Sequence, residues 1–134
     1  MKRYTKFNDF TSLNDIISLA EEIKEKYTGE LLRNMDKVDI VDHSINSVAS
    51  AFTQSCELKG KLDIVQRIID ITKFAVSQEF DLTKTISLVK EFLDSTLLRW
   101  ANDTGSGRTN DAMRSYHDGQ IAMIRYFMGH EVSY

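Results

Sequence analysis

The chain has 134 residues, and its 17 basic and 20 acidic residues give a formal net charge of −3. Apolar residues make up 42% of the chain and charged residues 28%, a balance typical of a folded globular domain rather than a disordered chain. The small negative charge argues against a general nucleic-acid binder, and no apolar run is long enough to predict a membrane span.

The cysteine content and the N-terminus bear on the cellular compartment. Cys56 is the only cysteine, which excludes an intrachain disulfide and any zinc site built from two or more cysteines. The basic first residues lead into Phe7-Asn8-Asp9 and not into an apolar run, so the sequence predicts no signal peptide. We expect a cytoplasmic protein without a cofactor.

Apolar residues recur at three- and four-residue steps in the first half of the chain, the spacing that places them on one face of an α-helix. Ser12, with Asp15 three residues later, is typical of a capping box and predicts the start of the first helix. Gly29 is its predicted stop, Asp36 the predicted cap of a second helix and Gly60 the predicted end of that helix.

Three further helices are predicted in the second half. A third helix is expected from Lys61, and its two adjacent apolar stripes favour a central position in the fold. Either Asp81 or Thr83 caps a fourth helix, and either Thr109 or Asn110 caps a fifth.

These patterns predict the fold class. The chain has no proline, which fits long helices joined by short connections. We expect an all-α, single-domain antiparallel bundle of about five helices over residues 1–134, with more than about 60% of residues helical. Residues 1–10 are expected to include a flexible basic N-terminus.

Two groups of acidic residues suggest a metal site. Glu21-Glu22-Ile23-Lys24-Glu25 reads EExxE, and Asp39-Ile40-Val41-Asp42 reads DxxD. Acids one helical turn apart can share a Mg²⁺ ion that binds a triphosphate. The stretch from Glu21 to Asp42 is similar to the motif of the MazG-like all-α nucleotide pyrophosphohydrolases.

The resemblance implies a Mg²⁺-dependent pyrophosphohydrolase that uses Glu22, Glu25, Asp39 and Asp42. Asp39 stands where that family has a glutamate. We therefore predict that these four residues form no metal site, and we keep the enzyme as the alternative function.

Residues 102–108 are small and polar and form the clearest predicted loop. Free backbone N–H groups at the start of the following helix can bind an anion such as a nucleotide phosphate, and Arg108 can pair with it. The competing interpretation is a flexible turn between helices. The candidate anion-binding residues are Gly105, Ser106, Gly107, Arg108 and Thr109.

The C-terminal third of the chain has the composition of an interface. No lysine follows Lys90, whereas arginine, methionine and aromatic residues are frequent there, as they are in interface cores. Gly119 can allow another helix to approach closely. The competing interpretation is that these residues complete the internal core. The candidate partner-binding residues are Arg99, Trp100, Arg114, Ile121, Arg125, Tyr126 and Met128.

The composition makes a non-enzymatic interaction protein the leading functional hypothesis. Its C-terminal helix is expected to present an exposed apolar or aromatic strip to a second copy or to another protein.

Overall fold

The structure is a computed structural model that describes residues 6–39, 41, 43–105 and 110–129. About 85% of these residues are helical and no strand occurs among them, which confirms the all-α class and the predicted helix content. A short 3₁₀ helix, Lys6–Asp9, precedes four α-helices: α1 (Leu13–Met35), α2 (Ile45–Ser77), α3 (Leu82–Gly105) and α4 (Asp111–Phe127). The predicted number of about five helices is therefore one too high within this part of the chain.

The capping box predicted at the start of α1 is confirmed. The Ser12 hydroxyl accepts a hydrogen bond from the Asp15 backbone N–H at 3.3 Å, and the Asp15 carboxylate accepts one from the Ser12 N–H at 3.1 Å. The predicted stop at Gly29 is wrong, because α1 continues to Met35. Tyr27 and Leu31 lie one turn apart, before and after this glycine, and both pack against the core, so the apolar face of α1 continues past Gly29.

The second and third predicted helices are one helix, α2. Gly60 lies inside α2 and does not end it. The cap of α2 is Ser44 and not Asp36, because the Ser44 side chain accepts a hydrogen bond from the Ser47 N–H at 3.2 Å. Leu58 and Ile64 are buried on either side of Gly60, so the apolar face of the helix passes through the glycine without a break. Glycine weakens a helix interior by about 1 kcal/mol, which this packing outweighs.

The later helix starts agree with one of the predicted alternatives each. Asp81 accepts the Lys84 N–H at 2.7 Å before α3, and Asn110 accepts the Met113 N–H at 2.9 Å before α4. The loop predicted from residue 102 begins later, because residues 102–105 still belong to α3.

The central position predicted for residues 61–76 is confirmed within α2. Neighbouring residues such as Ile64 and Val65 are both buried, which requires partners on more than one side. Lys73 of α2 pairs with Glu21 of α1 at 3.6 Å, and Lys61 lies 4.8 Å from the Tyr27 ring centre, so α1 and α2 run antiparallel. Among the described residues, no helix combines the length and apolarity that crossing a membrane requires.

The segment before α1 contributes to the core. Phe7 and Phe10 are buried, and the Phe7 ring centre lies 5.9 Å from that of Phe127 in α4. Phe7 and Phe10 thus attach this segment to the core, and residues 1–5 of the N-terminus expected to be flexible lie outside the described part of the chain.

The backbones of α2 and α4 are in close contact at Gly60 of α2 and Gly119 of α4, each of which faces the other helix. A Cβ atom at Gly60 would lie 3.0 Å from the Gln120 amide nitrogen and would overlap the Tyr116 carbonyl oxygen. A Cβ atom at Gly119 would overlap the Glu57 carbonyl oxygen. The close helix approach expected at Gly119 thus occurs, and the approaching helix is α2 of the same chain.

Candidate functional site

An apolar groove lies where the end of α1, the first half of α2 and the start of α4 meet. It encloses about 500 Å³, within the range of protein binding sites for small ligands and side chains. Its walls combine aliphatic, aromatic and sulfur-containing side chains with little polar surface: Leu31, Met35, Val38, Phe52, Ser55, Cys56, Lys59, Ala112, Met113 and Tyr116. We call this feature the α1–α2–α4 groove.

Three large side chains from three helices leave their apolar surface open at the groove. Met35 of α1, Phe52 of α2 and Met113 of α4 are each exposed, although each lies among apolar neighbours. Methionine is flexible and polarizable, and is frequent on surfaces that adapt to a partner. Cys56, half-buried, contributes the thiol of the groove wall.

A chain of hydrogen bonds closes one side of the groove. The Tyr116 hydroxyl donates to the Asp63 carboxylate at 2.5 Å, and the other oxygen of Asp63 accepts a hydrogen bond from the Lys59 ammonium at 2.7 Å. Gln120 donates to the Tyr116 oxygen at 3.2 Å. Burial, followed by the bond to Asp63 and its negative charge, raises the pKa of the Tyr116 phenol above its usual range.

The predicted partner-binding residues are not gathered on one face. Arg99, Arg114 and Arg125 are exposed, and Arg114 lies 3.8 Å from Asp111 of its own helix. Trp100 is half-buried, with its ring centre 6.0 Å from that of His117.

The apolar strip expected on α4 is largely occupied by the chain's own core. Tyr126 is only 4% exposed, because it packs beside Phe127 against the core. Ile121 and Met128 are half-buried, and Met128 packs against the same core. The exposed apolar residue of α4 is instead Met113, at the other end of the helix.

The candidate anion-binding loop lies mostly outside the described residues. Gly105 is the last residue of α3, and Ser106, Gly107, Arg108 and Thr109 are not described.

The acids of the EExxE stretch and the described acid of the DxxD stretch do not share a helix. Glu22 and Glu25 are exposed on α1, whereas Asp39 lies in the connection between α1 and α2, and Asp42 lies outside the described residues. In the part of the chain that the structure describes, no three histidine, cysteine, aspartate or glutamate side chains lie close enough to hold a metal ion.

The sequence pattern puts Phe52 and Cys56 four residues apart on one apolar stripe of a helix, and it does not single out Met35. Periodicity shows that apolar residues share a face but not whether another helix covers that face. Ile45 lies on the same stripe two helical turns before Phe52, and no local feature of the stripe indicates that both side chains are exposed.

No protein-family model, curated protein or solved structure matches this chain.

Proposed function

We propose that this protein is a non-enzymatic interaction protein that pairs with a second copy of itself through the α1–α2–α4 groove. One observation carries the proposal: Met35, Phe52 and Met113, from three different helices, converge on one groove and remain exposed. Large exposed apolar patches are uncommon on monomers and mark binding surfaces.

Exposed apolar side chains are concentrated beside this groove. Of the ten large hydrophobic residues that are exposed in the described part of the chain, six lie at the end of α1, in the α1–α2 connection, and at the starts of α2 and α4. They are Leu32, Met35, Val41, Ile45, Phe52 and Met113. Association would remove this surface from water, at a gain of roughly 25 cal/mol per Å² before the costs of association.

Two strongly exposed apolar side chains follow the groove residues in the chain. Val41 is 86% exposed and Ile45 is 71% exposed, and both lie on the chain segment that follows the groove residues Met35 and Val38. In a two-fold pair the same patch serves both subunits. The Val41 and Ile45 side chains of each copy would pack into the groove of the other.

The charge of the groove also favours an identical partner. Among the described residues that line the groove, Lys59 is the only lysine, arginine, aspartate or glutamate, and its ammonium group is bonded to Asp63. Two copies can therefore meet at this surface without bringing unbalanced like charges together.

The test compares two phenylalanines of α2 by sedimentation equilibrium over a series of protein concentrations. Phe52 is 51% exposed in the groove, and Phe74 is 56% exposed about 33 Å further along the helix. We expect the wild type and Phe74→Glu to form dimers, and Phe52→Glu to raise the dissociation constant by about tenfold or more, because a carboxylate would be buried without a partner.

A wild type that stays monomeric up to its solubility limit would overturn the proposal. Equal weakening by Phe52→Glu and Phe74→Glu would also overturn it, because the pairing surface would then not be the groove.

A further inference from the structure

A second pocket lies on the other side of Tyr116, between α2, α3 and α4. It encloses about 290 Å³, close to the lower limit of about 300 Å³ for ligand pockets, so a small ligand would fill it. Two arginines from different helices, Arg67 and Arg99, stand in its wall together with apolar side chains and a short polar row: Asp63, Ile64, Phe92, Thr96, Tyr116 and Gln120.

The carboxylate of this pocket is already engaged. One Asp63 oxygen accepts from Lys59 and the other from Tyr116, at 2.7 and 2.5 Å. The Thr96 hydroxyl is used as well, since it donates to the Phe92 carbonyl oxygen at 3.0 Å.

Unlike Asp63 and Thr96, the two arginines of the pocket have no ion-pair or hydrogen-bond partner among the described side chains. Among the residues whose side chains the structure describes, which leaves out 102–105, no carboxylate lies within ion-pair distance of Arg67 or Arg99. The Arg67 guanidinium carbon lies 5.9 Å from the centre of the Phe92 ring, which leaves its N–H groups available for an acceptor. Two cations therefore border one small pocket in a chain whose net charge is −3.

We infer that this pocket binds a small phosphate monoester with an apolar substituent. A phosphate monoester carries close to two negative charges at neutral pH, which matches two guanidinium groups, whereas a carboxylate would balance only one. Phe92 and Ile64 provide the apolar wall against which the substituent would pack. Tyr116 is the one described lining residue that this pocket shares with the groove, so the failure of this inference would leave the proposed pairing standing.

The probe is phenyl phosphate, with benzoate for comparison, titrated into the full chain and followed by calorimetry. We expect phenyl phosphate to bind more tightly than benzoate, and Arg67→Gln and Arg99→Gln each to weaken its binding by about tenfold or more. Arg125→Gln is the matched control, because Arg125 is an exposed arginine of α4 outside the pocket.

Both pocket arginines are exposed, so the substitutions should leave the fold intact, and circular dichroism checks this. The inference is overturned if phenyl phosphate does not bind the wild type or if benzoate binds equally well. It is also overturned if Arg125→Gln weakens binding as much as the two pocket substitutions do.

Discussion

Tyr116 joins α2 to α4 through a single short hydrogen bond to Asp63, 53 residues earlier in the chain. The bond connects a neutral donor to a carboxylate, and such bonds are stronger than those between two neutral groups. Its position between the groove and the arginine pocket means that one side chain forms part of both walls.

The Tyr116 bond should give the stability of the protein an alkaline limit. The phenol has a raised pKa in the folded state, so its neutral form stabilises the fold fully below the ordinary tyrosine pKa of about 10. Above that pH the unfolded chain loses the proton first, and the stabilisation decreases. We expect Tyr116→Phe to lower the free energy of unfolding by about 1 kcal/mol at neutral pH.

Urea unfolding of both proteins between neutral pH and about pH 11 checks this, because the difference between them isolates Tyr116 from other titrating groups. The difference should shrink as the pH rises above the ordinary phenol pKa. Two curves that stay parallel throughout would show that Tyr116 does not carry the effect.

Single-residue roles could be predicted from the sequence only where the partners are close in the chain. The Ser12 cap could be predicted because Asp15 is three residues away. The partner of Tyr116 lies on another helix, and the burial of Tyr126 depends on how α4 packs against the core. No local pattern contains that information.

At the scale of helices, the crossing of α2 and α4 depends on two glycines. Gly60 and Gly119 each lie opposite backbone of the other helix, without room for a methyl group. Both glycines lie inside helices, where glycine lowers helix stability, and the close packing that they allow offsets this loss. In the sequence, Gly60 resembles a helix end because the backbone that its missing side chain accommodates, at Tyr116, lies 56 residues later in the chain.

Alanine substitutions should have opposite signs at two helical glycines. We expect Gly119→Ala to lower the free energy of unfolding by about 1–3 kcal/mol, because its methyl group would overlap the Glu57 carbonyl oxygen. Gly29→Ala should raise it by up to about 1 kcal/mol, because the nearest atom to its methyl group would be the flexible end of Arg33, at 3.4 Å.

Urea unfolding at a matched protein concentration measures both effects, since self-association shifts apparent stability. Stabilisation by both substitutions would contradict the close crossing of α2 and α4.

At the scale of the whole molecule, the all-α class and the central position of residues 61–76 could be predicted because both depend on periodicity along the chain. The groove could not be predicted from periodicity. Phe52 and Ile64 belong to the same helix and to similar apolar stripes, yet Ile64 is buried and Phe52 is exposed. The difference arises because the neighbouring helices cover the middle of α2 more completely than its first half.

The α1–α2–α4 groove contains a thiol whose reactivity can report on dimer formation. Cys56, the only cysteine, lines the groove, so its rate of alkylation by iodoacetamide measures directly whether the groove is covered. Sedimentation shows that two copies associate, whereas this rate shows where they do so.

The decisive measurement is the Cys56 alkylation rate over a series of protein concentrations that spans the monomer–dimer transition. The rate should fall as the wild type and Phe74→Glu associate, and for Phe52→Glu the same fall should need about tenfold higher protein concentration or more. A wild-type rate that does not change while sedimentation shows association would place the interface elsewhere and contradict pairing through this groove.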